Sequence, residues 1–514
     1  MAKKKIFVNA VANDEGEQPT APVVKVSKSI AENIKVLTDT YGNDKTLAIR
    51  RFQNPYNPAI KCCIFFLNGL ADNQTINKDI MLPIMKAVES ENEKSPNLLD
   101  LLQNKIISSN SIDRETNMTK LMETINYGDT GLFVEGYDEA LYISSKGWRL
   151  RAIQEPNTEM SIRGPREGFT ESIMDSLAHI RRKLTTKDLK FEFSTLGTRT
   201  QTRVCICYID GVVNKNILNE LKTRLDKIDM DSLLDSGYIQ EYLKDSPYSI
   251  FETMDSTERP DVVVGKLLEG RIAVVVDGTP VVLTLPFLFL ENFQISEDYY
   301  VGFFYGSLNR LLRIISLFLT TLTGASYLAL VTYHQELIPT TLAIAIASSK
   351  VGVPLPTVIE LISMVVIFEV IRESGTRMPS FLGQALSIVG VLVIGQAAVE
   401  ARFISAPIVI IVAVTGITGL IIPRMKSVSI LLRLMFILLA SFLGFFGIIF
   451  GIIGVCLYLF QLRSFGVPYM YKADGRGFEG IVDTAIRAPL WAMKKRPKMI
   501  AEDAVRNAST RSKK

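Results

Sequence analysis

Glu360 and Glu369 are the only acids in an otherwise apolar stretch, Leu355–Ile371, flanked by Pro354, Pro356 and Gly375. A charged side chain at bilayer depth costs at least about 2.5–3.5 kcal/mol on insertion scales, so it must be paired or turned to water. Three readings of the stretch compete: a span with paired acids, an interfacial amphipathic helix, or a segment lining water. The acids are nine residues apart, which puts them on roughly opposite faces of a straight helix at about 100° per residue. They cannot both face one pore unless the helix breaks or one acid serves as a structural partner. Glu369 has Arg372 within reach of an i,i+3 ion pair and takes the structural role. Glu360 is the candidate for facing a pore, a cavity or a neighbouring subunit.

Other residue types with chemistry to offer point nowhere. Cys62 and Cys63 are adjacent, so they point to opposite faces of a strand, and Cys205 and Cys207 share a face. Neither spacing suits zinc or a disulfide framework, and buried, reduced thiols are expected. His179 and His334 are the only histidines, which excludes multi-histidine metal sites. There is no G-x-S-x-G elbow, no P-loop and no Cys/His pair at catalytic spacing. One G-x-G-x-x-G string, Gly475 to Gly480, follows an apolar span rather than a strand, so it reads as a glycine-rich exit. No catalytic residue, metal or cofactor is expected.

The elements that must position these residues divide sharply by hydropathy. Met1 to Arg310 reads as water-facing, and Leu311 to Leu462 reads as membrane. A crossing needs about 20 mostly apolar helical residues. Ile314–Tyr333, Leu382–Val399, Ile404–Ile422 and the run Ile430–Phe460, broken only by Arg433, qualify. Gly444, Gly447, Gly451 and Gly454 share one face of a continuous helix, a stripe suited to close helix packing. Net charge is only +4, so nucleic acid has no electrostatic support as a partner. Arg372, Arg377, Arg424 and Lys426 suit cytoplasmic loops. From Arg463 onward twelve Lys/Arg face five Asp/Glu, so the tail stays inside and touches anionic lipid through Lys494, Lys495, Arg496 and Lys498. Head and tail on one side require an even number of crossings. Four or six fit, depending on Leu355–Ile371 and on whether Ile430–Phe460 turns back on itself. A half of about 15 residues would span only about 23 Å, so four are expected, with Ile430–Phe460 as one of them.

The fold class is an α/β two-part soluble head followed by an all-α multi-span membrane domain. Residues 1–26 form a disordered arm, with no signal peptide, so the first span acts as an internal anchor. Residues 27–145 form a first α/β subdomain, which includes the hairpin Gly131–Val134 and Ala140–Ser144. Residues 146–255 form a second, with a doubly apolar strand around Val204 to Ile209. Residues 256–310 form a hairpin and junction, turning at Asp277-Gly278-Thr279-Pro280. Residues 311–462 are the membrane domain and 463–514 the basic tail.

Several blocks resemble the A subunits of the GerA-type nutrient germinant receptors of bacterial endospores. They are Arg163-Gly164-Pro165-Arg166-Glu167-Gly168-Phe169, Glu258-Arg259-Pro260-Asp261, and Leu268-Glu269-Gly270-Arg271-Ile272-Ala273. The likeness continues through Asp277-Gly278-Thr279-Pro280, Glu291-Asn292-Phe293-Gln294, Glu297-Asp298-Tyr299-Tyr300, Glu336-Leu337-Ile338-Pro339, and Glu369 to Pro379. It covers residues 60 to 470 in family order. The resemblance implies a subunit in the inner membrane of the spore that works with a transporter-like B subunit and a lipoprotein C subunit. It also implies a homo-oligomeric ring of A subunits that conducts ions, with the nutrient held by B. Glu269, Gly270, Arg271, Asp277, Gly278, Pro280, Glu291 and Asn292 are its junction motif. A secondary transporter is the alternative, although the membrane region shows no repeated halves. A membrane enzyme lacks a nucleophile, base or metal site.

Overall fold

The computed structural model describes residues 24–42, 44–58, 60–87, 98–147, 159, 163–376, 393–471, 483–484, 486–489, 493, 495–497, 499–503 and 505. Most of the N-terminal arm, Arg377 to Pro379, the first part of Leu382–Val399, the Gly475–Gly480 string, and Lys494 and Lys498 lie outside them. The chain divides into two compact units: Met1–Arg151 with Leu177–Glu192, and Ala152–Ser176 with Phe193–Lys514. The return of residues 177–192 to the first unit differs from a simple division near residue 145.

The first unit is built on a five-stranded sheet of order β1-β2-β4-β5-β3. Its strands are β1 (Leu47–Gln53), β2 (Lys61–Leu67), β3 (Ile112–Glu115), β4 (Thr130–Val134) and β5 (Ala140–Ile143). All four of its strand pairs are antiparallel. Alternation along β2 sends Cys62 and Ile64 to one apolar core and Cys63 and Phe65 to the other. Helices α1 (Ile30–Tyr41) and α2 (Met118–Asn126) cover the second of these faces. Gly131 has no side chain because Phe65 occupies its place: a Cβ there would lie 2.1 Å from the ring. Burial pushes the Cys62 thiol up to about 12 and Cys63 up to about 11, so both stay protonated and inert at neutral pH. Cys205 and Cys207 are likewise buried and free, while Cys456 is exposed.

The second unit carries a sheet of order β6-β7-β9-β10-β8. These are β6 (Leu189–Leu196), which crosses the unit boundary, β7 (Thr202–Ile209), β8 (Asp255–Thr257), β9 (Ile272–Val276) and β10 (Val282–Leu285). β7 is an interior strand, buried from Val204 to Ile209, as its doubly apolar pattern predicts. Helix α3 (Ile173–Lys183) also crosses the unit boundary, and α4 (Lys215–Asp226), α5 (Ser236–Leu243) and α6 (Pro260–Leu268) complete the α/β part. The Asp-Gly turn joins β9 to β10, with Gly278 at φ +91°. Asp277 Oδ1 accepts the N–H of Ile173, the first residue of α3, at 3.1 Å.

The rest of the unit is helical: α7 (Phe303–Thr332), α8 (Thr340–Ser349), α9 (Thr357–Thr376), α10 (Ala406–Leu420) and α11 (Lys426–Gln461). Among the described residues, Phe303–Thr332 and Pro423–Gln461 are long and apolar enough to cross a membrane. The second of these is not straight. Gly444, at φ +57° and ψ −136°, leaves helical geometry and turns the chain back. A Cβ on Gly447 would lie 2.2 Å from the Leu439 carbonyl oxygen, and one on Gly451 would lie 2.7 Å from Phe436 Cε1. On a straight helix Phe436 and Gly451 would sit about 22 Å apart. The expectation that Ile430–Phe460 is a single crossing is therefore corrected to a hairpin. The reason is that only glycine takes this left-handed conformation without strain. Gly444 makes the turn, Gly447 and Gly451 receive the opposite arm, and Gly454 faces open space.

Gly447→Leu should consequently destabilise the solubilised protein by about 1–3 kcal/mol, the usual range for overpacking, or more, because a backbone oxygen must move. Gly454→Leu should leave the unfolding midpoint unchanged. Equal midpoints for the two variants would contradict the hairpin.

Candidate functional site

Two buried charge networks gather where the helices meet the second sheet. The first begins at Asp255, the opening residue of β8, buried at 5% exposure. Lys266, in the last turn of α6, pairs with it and lies 3.4 Å from Glu291 Oε2. Arg271, at the foot of β9, sets Nη2 2.8 Å from Glu291 Oε1 and donates through Nη1 to the Pro286 carbonyl. Glu269 stands 3.7 Å from Arg271 Nε. Arg424, two residues before α11, reaches Asp255 Oδ1 and Glu159 Oε1, each at 3.4 Å. Burial alone would raise the Asp255 carboxyl, but Arg424 and Lys266 beside it hold it below the ordinary carboxylate range.

The second network anchors α7. Arg310 and Arg313 lie one turn apart, and both point at Asp298, which is 1% exposed. Arg313 grips it with two bonds, 2.7 Å to Oδ2 and 2.8 Å to Oδ1, and Arg310 Nε donates to it at 3.1 Å. Arg310 Nη1 also donates to Asp483 Oδ1 at 2.8 Å, and the Tyr299 hydroxyl donates to Asp483 Oδ2 at 2.9 Å. Burial, then the Asp483 charge, pushes the Tyr299 phenol well above its usual value. Between the networks lies a cavity of 420 Å³, with Lys266, Glu269, Glu291, Tyr299, Tyr300 and Arg424 on its walls.

The end of α11 returns to the same place. Ser464 Oγ donates to the Thr253 carbonyl at 2.7 Å, two residues from the Asp255 that holds Arg424. The Tyr469 hydroxyl donates to the Glu252 carbonyl at 2.8 Å, and Asn292 Nδ2 donates to that hydroxyl at 3.3 Å. The start of α7 and both ends of α11 are thus tied to one sheet edge and the short helical turns beside it. Charge-assisted bonds of this kind are stronger than neutral ones. Such a site can transmit a shift of the sheet to the helices.

Of the junction motif, Glu269, Arg271 and Glu291 meet in the first network, and Asn292 borders it. Gly270 sits apart at φ +89°, where a Cβ would lie 2.7 Å from Ala501 Cβ. Asp277, Gly278 and Pro280 stand at the other end of β9, about five residues or 17 Å away. Deeper among the helices, Glu369 pairs with both Arg372 and Arg433. Glu360 is 1% exposed. Its Oε2 accepts the backbone N–H and the hydroxyl of Ser405, each at 2.9 Å. Ser405 is the N-cap of α10, so this carboxylate caps a helix in the single chain.

Sequence reading missed Asp255, Asp298 and Asp483 as partners, although Arg433 stood out as the one charge in its apolar run. In the tail, Arg496, one of the four residues expected at lipid, donates to the Leu268 carbonyl at 2.7 Å and pairs with Asp503 at 3.4 Å. Ile500 is fully buried in the core of the second sheet.

The sequence profile described as Bacillus/Clostridium GerA spore germination protein matches residues 35–499. The chain is 41% identical over 495 residues to spore germination protein KA of Bacillus subtilis (strain 168), covering 96% of this chain and 90% of that protein. It is 39% identical over 486 residues to the uncharacterized membrane protein YfkQ of the same organism, covering 94% and 92%. Among solved structures, the N-terminal domain of the A subunit of the Bacillus megaterium spore germinant receptor GerK3 is 32% identical. It covers 52% of this chain and 99% of that chain, at a TM-score of 0.39. The chain belongs to the GerA family of spore germination proteins, the A subunits of spore germinant receptors.

Proposed function

We propose that this chain is the membrane-embedded A subunit of a nutrient germinant receptor and that copies of it form an ion-conducting ring. Nutrient is sensed by a transporter-like B subunit, with a lipoprotein C subunit in the same complex. The observation that carries the reading is the junction: the second sheet holds the start of α7 and both ends of α11, so motion in the water-facing part reaches the helices directly.

The hairpin changes the crossing count in this proposal. Its arms, residues 426–443 and 445–461, are each about 26 Å long at 1.5 Å per residue, close to the roughly 30 Å of a bilayer core. With α7, α9, α10 and the span expected from sequence at Leu382–Val399, six crossings replace the expected four. The number stays even, and the head and tail share the cytoplasmic side of the spore's inner membrane. Glu360 is not given a pore role, because its carboxylate is committed to Ser405. The Glu369, Arg372 and Arg433 cluster is a packing device at membrane depth.

The test is ion flux from liposomes carrying the assembled receptor. Nutrient-triggered flux that does not saturate with ion concentration supports a channel. Saturable uptake of a solute by this chain alone would establish the transporter reading instead.

A further inference from the structure

The loop between α5 and β8 places two apolar side chains beside the end of the membrane hairpin. Tyr248 is 99% exposed and Ile250 is 37% exposed. Next in sequence, Phe251 is buried, and its ring lies 6.2 Å from that of Tyr458, near the end of the second arm. On that arm Leu457 and Phe460 are themselves widely exposed. The exposed loop residues therefore continue the apolar surface of the hairpin at the level where it ends.

Beside them is an open cleft of 470 Å³, with Asn216, Arg224, Asp245, Ser246, Gln461 and Arg463 on its walls. Arg224 is committed to Asp245 and Glu220. Arg463 is exposed, and among the described residues no ion pair holds it. Aromatic side chains with a cation at the end of a membrane helix are the usual anchors in the headgroup layer. The tyrosine ring sits in the apolar boundary and its hydroxyl in water, and the long arginine side chain reaches outward to phosphate.

We propose that residues 246–250 dip into the bilayer interface and that the adjoining cleft receives a phospholipid headgroup, its phosphate on Arg463. The occupant is a bilayer lipid. The observation behind that choice is continuity with the exposed hairpin surface, so the inference rests on the membrane reading above.

The experiment uses the full-length protein in nanodiscs made with lipids brominated near the headgroup. Tyr248→Trp is compared with the parent, whose signal is subtracted, and with Phe450→Trp in the exposed middle of the second arm. Trp at 248 should be quenched at least twofold by shallow bromines and less by bromines deep in the acyl chain. Arg463→Gln should weaken the shallow quenching when anionic lipid is present, and free inorganic phosphate should not reproduce or relieve it. If position 450 is not quenched by deep bromines, the membrane reading itself fails. If 450 is quenched and 248 is not, only this inference is overturned. Loss of acrylamide access at 248 that follows copy number per disc, without bromine quenching, would assign the surface to a protein contact instead.

Discussion

Asp298→Asn is expected to destabilise the protein by about 3–5 kcal/mol, the range for removing one partner of a buried ion pair. The side chain keeps its volume, so the effect is electrostatic. Arg310 is fully buried and Arg313 nearly so, and each would lose a charged acceptor. Arg313 loses most, since both of its strong bonds end on this carboxylate, whereas Arg310 keeps Asp483. An amide also turns an N–H₂ donor toward guanidinium donors. The chain should fail to accumulate in spores, or its solubilised form should unfold at markedly lower denaturant. Asp483→Asn should cost less, because Asp298 still holds both arginines. Equal accumulation of Asp298→Asn and the parent would show that the network is not what seats α7.

Glu369→Gln should be the second severe lesion. One carboxylate serves two guanidiniums, Arg372 on its own helix and Arg433 on α11. Arg433 is 1% exposed, and its other contact is Thr415 Oγ1 at 3.5 Å. Removing the charge leaves two cations facing each other in low dielectric, again about 3–5 kcal/mol, toward the lower end because Glu369 is partly exposed. Protein level should fall while mRNA is unchanged. Arg372→Gln should be milder, since the Glu369–Arg433 pair survives and the surplus positive charge disappears. If Arg372→Gln is the more damaging of the two, the assignment of Glu369 as the shared partner is wrong.

Much of the architecture was legible because local chemistry specified it. The Asp-Gly turn between apolar runs set the β9–β10 hairpin, and the alternation at Val204 to Ile209 set an interior strand. The hairpin at Gly444 was legible only as the weaker of two readings, set aside because each half looked short for a bilayer. An apolar run with glycines at spacings of three and four reads equally as a packing stripe, and no polar residue marks the turn. Glu369 and Arg372 were paired by their spacing, but Arg433 enters through a tertiary contact that no local rule reports. Two lone opposite charges in separate apolar runs were the available clue. In the tail, composition reported only the basic residues, while the burial of Ile500 depends on Gly270, far away in sequence, leaving room for Ala501.

The claim on which the account turns is that α11 folds back, bringing both of its ends to the second sheet. The direct measurement is the distance between spin labels at Ser427 and Gln461, both exposed. A Cys456→Ser background serves, since the other four cysteines are buried. Packed helical arms lie about 8–10 Å apart, so the labels should be within roughly 25 Å of each other. A straight helix would separate the two positions by about 51 Å, and a distribution centred there would contradict the hairpin and the junction built on it.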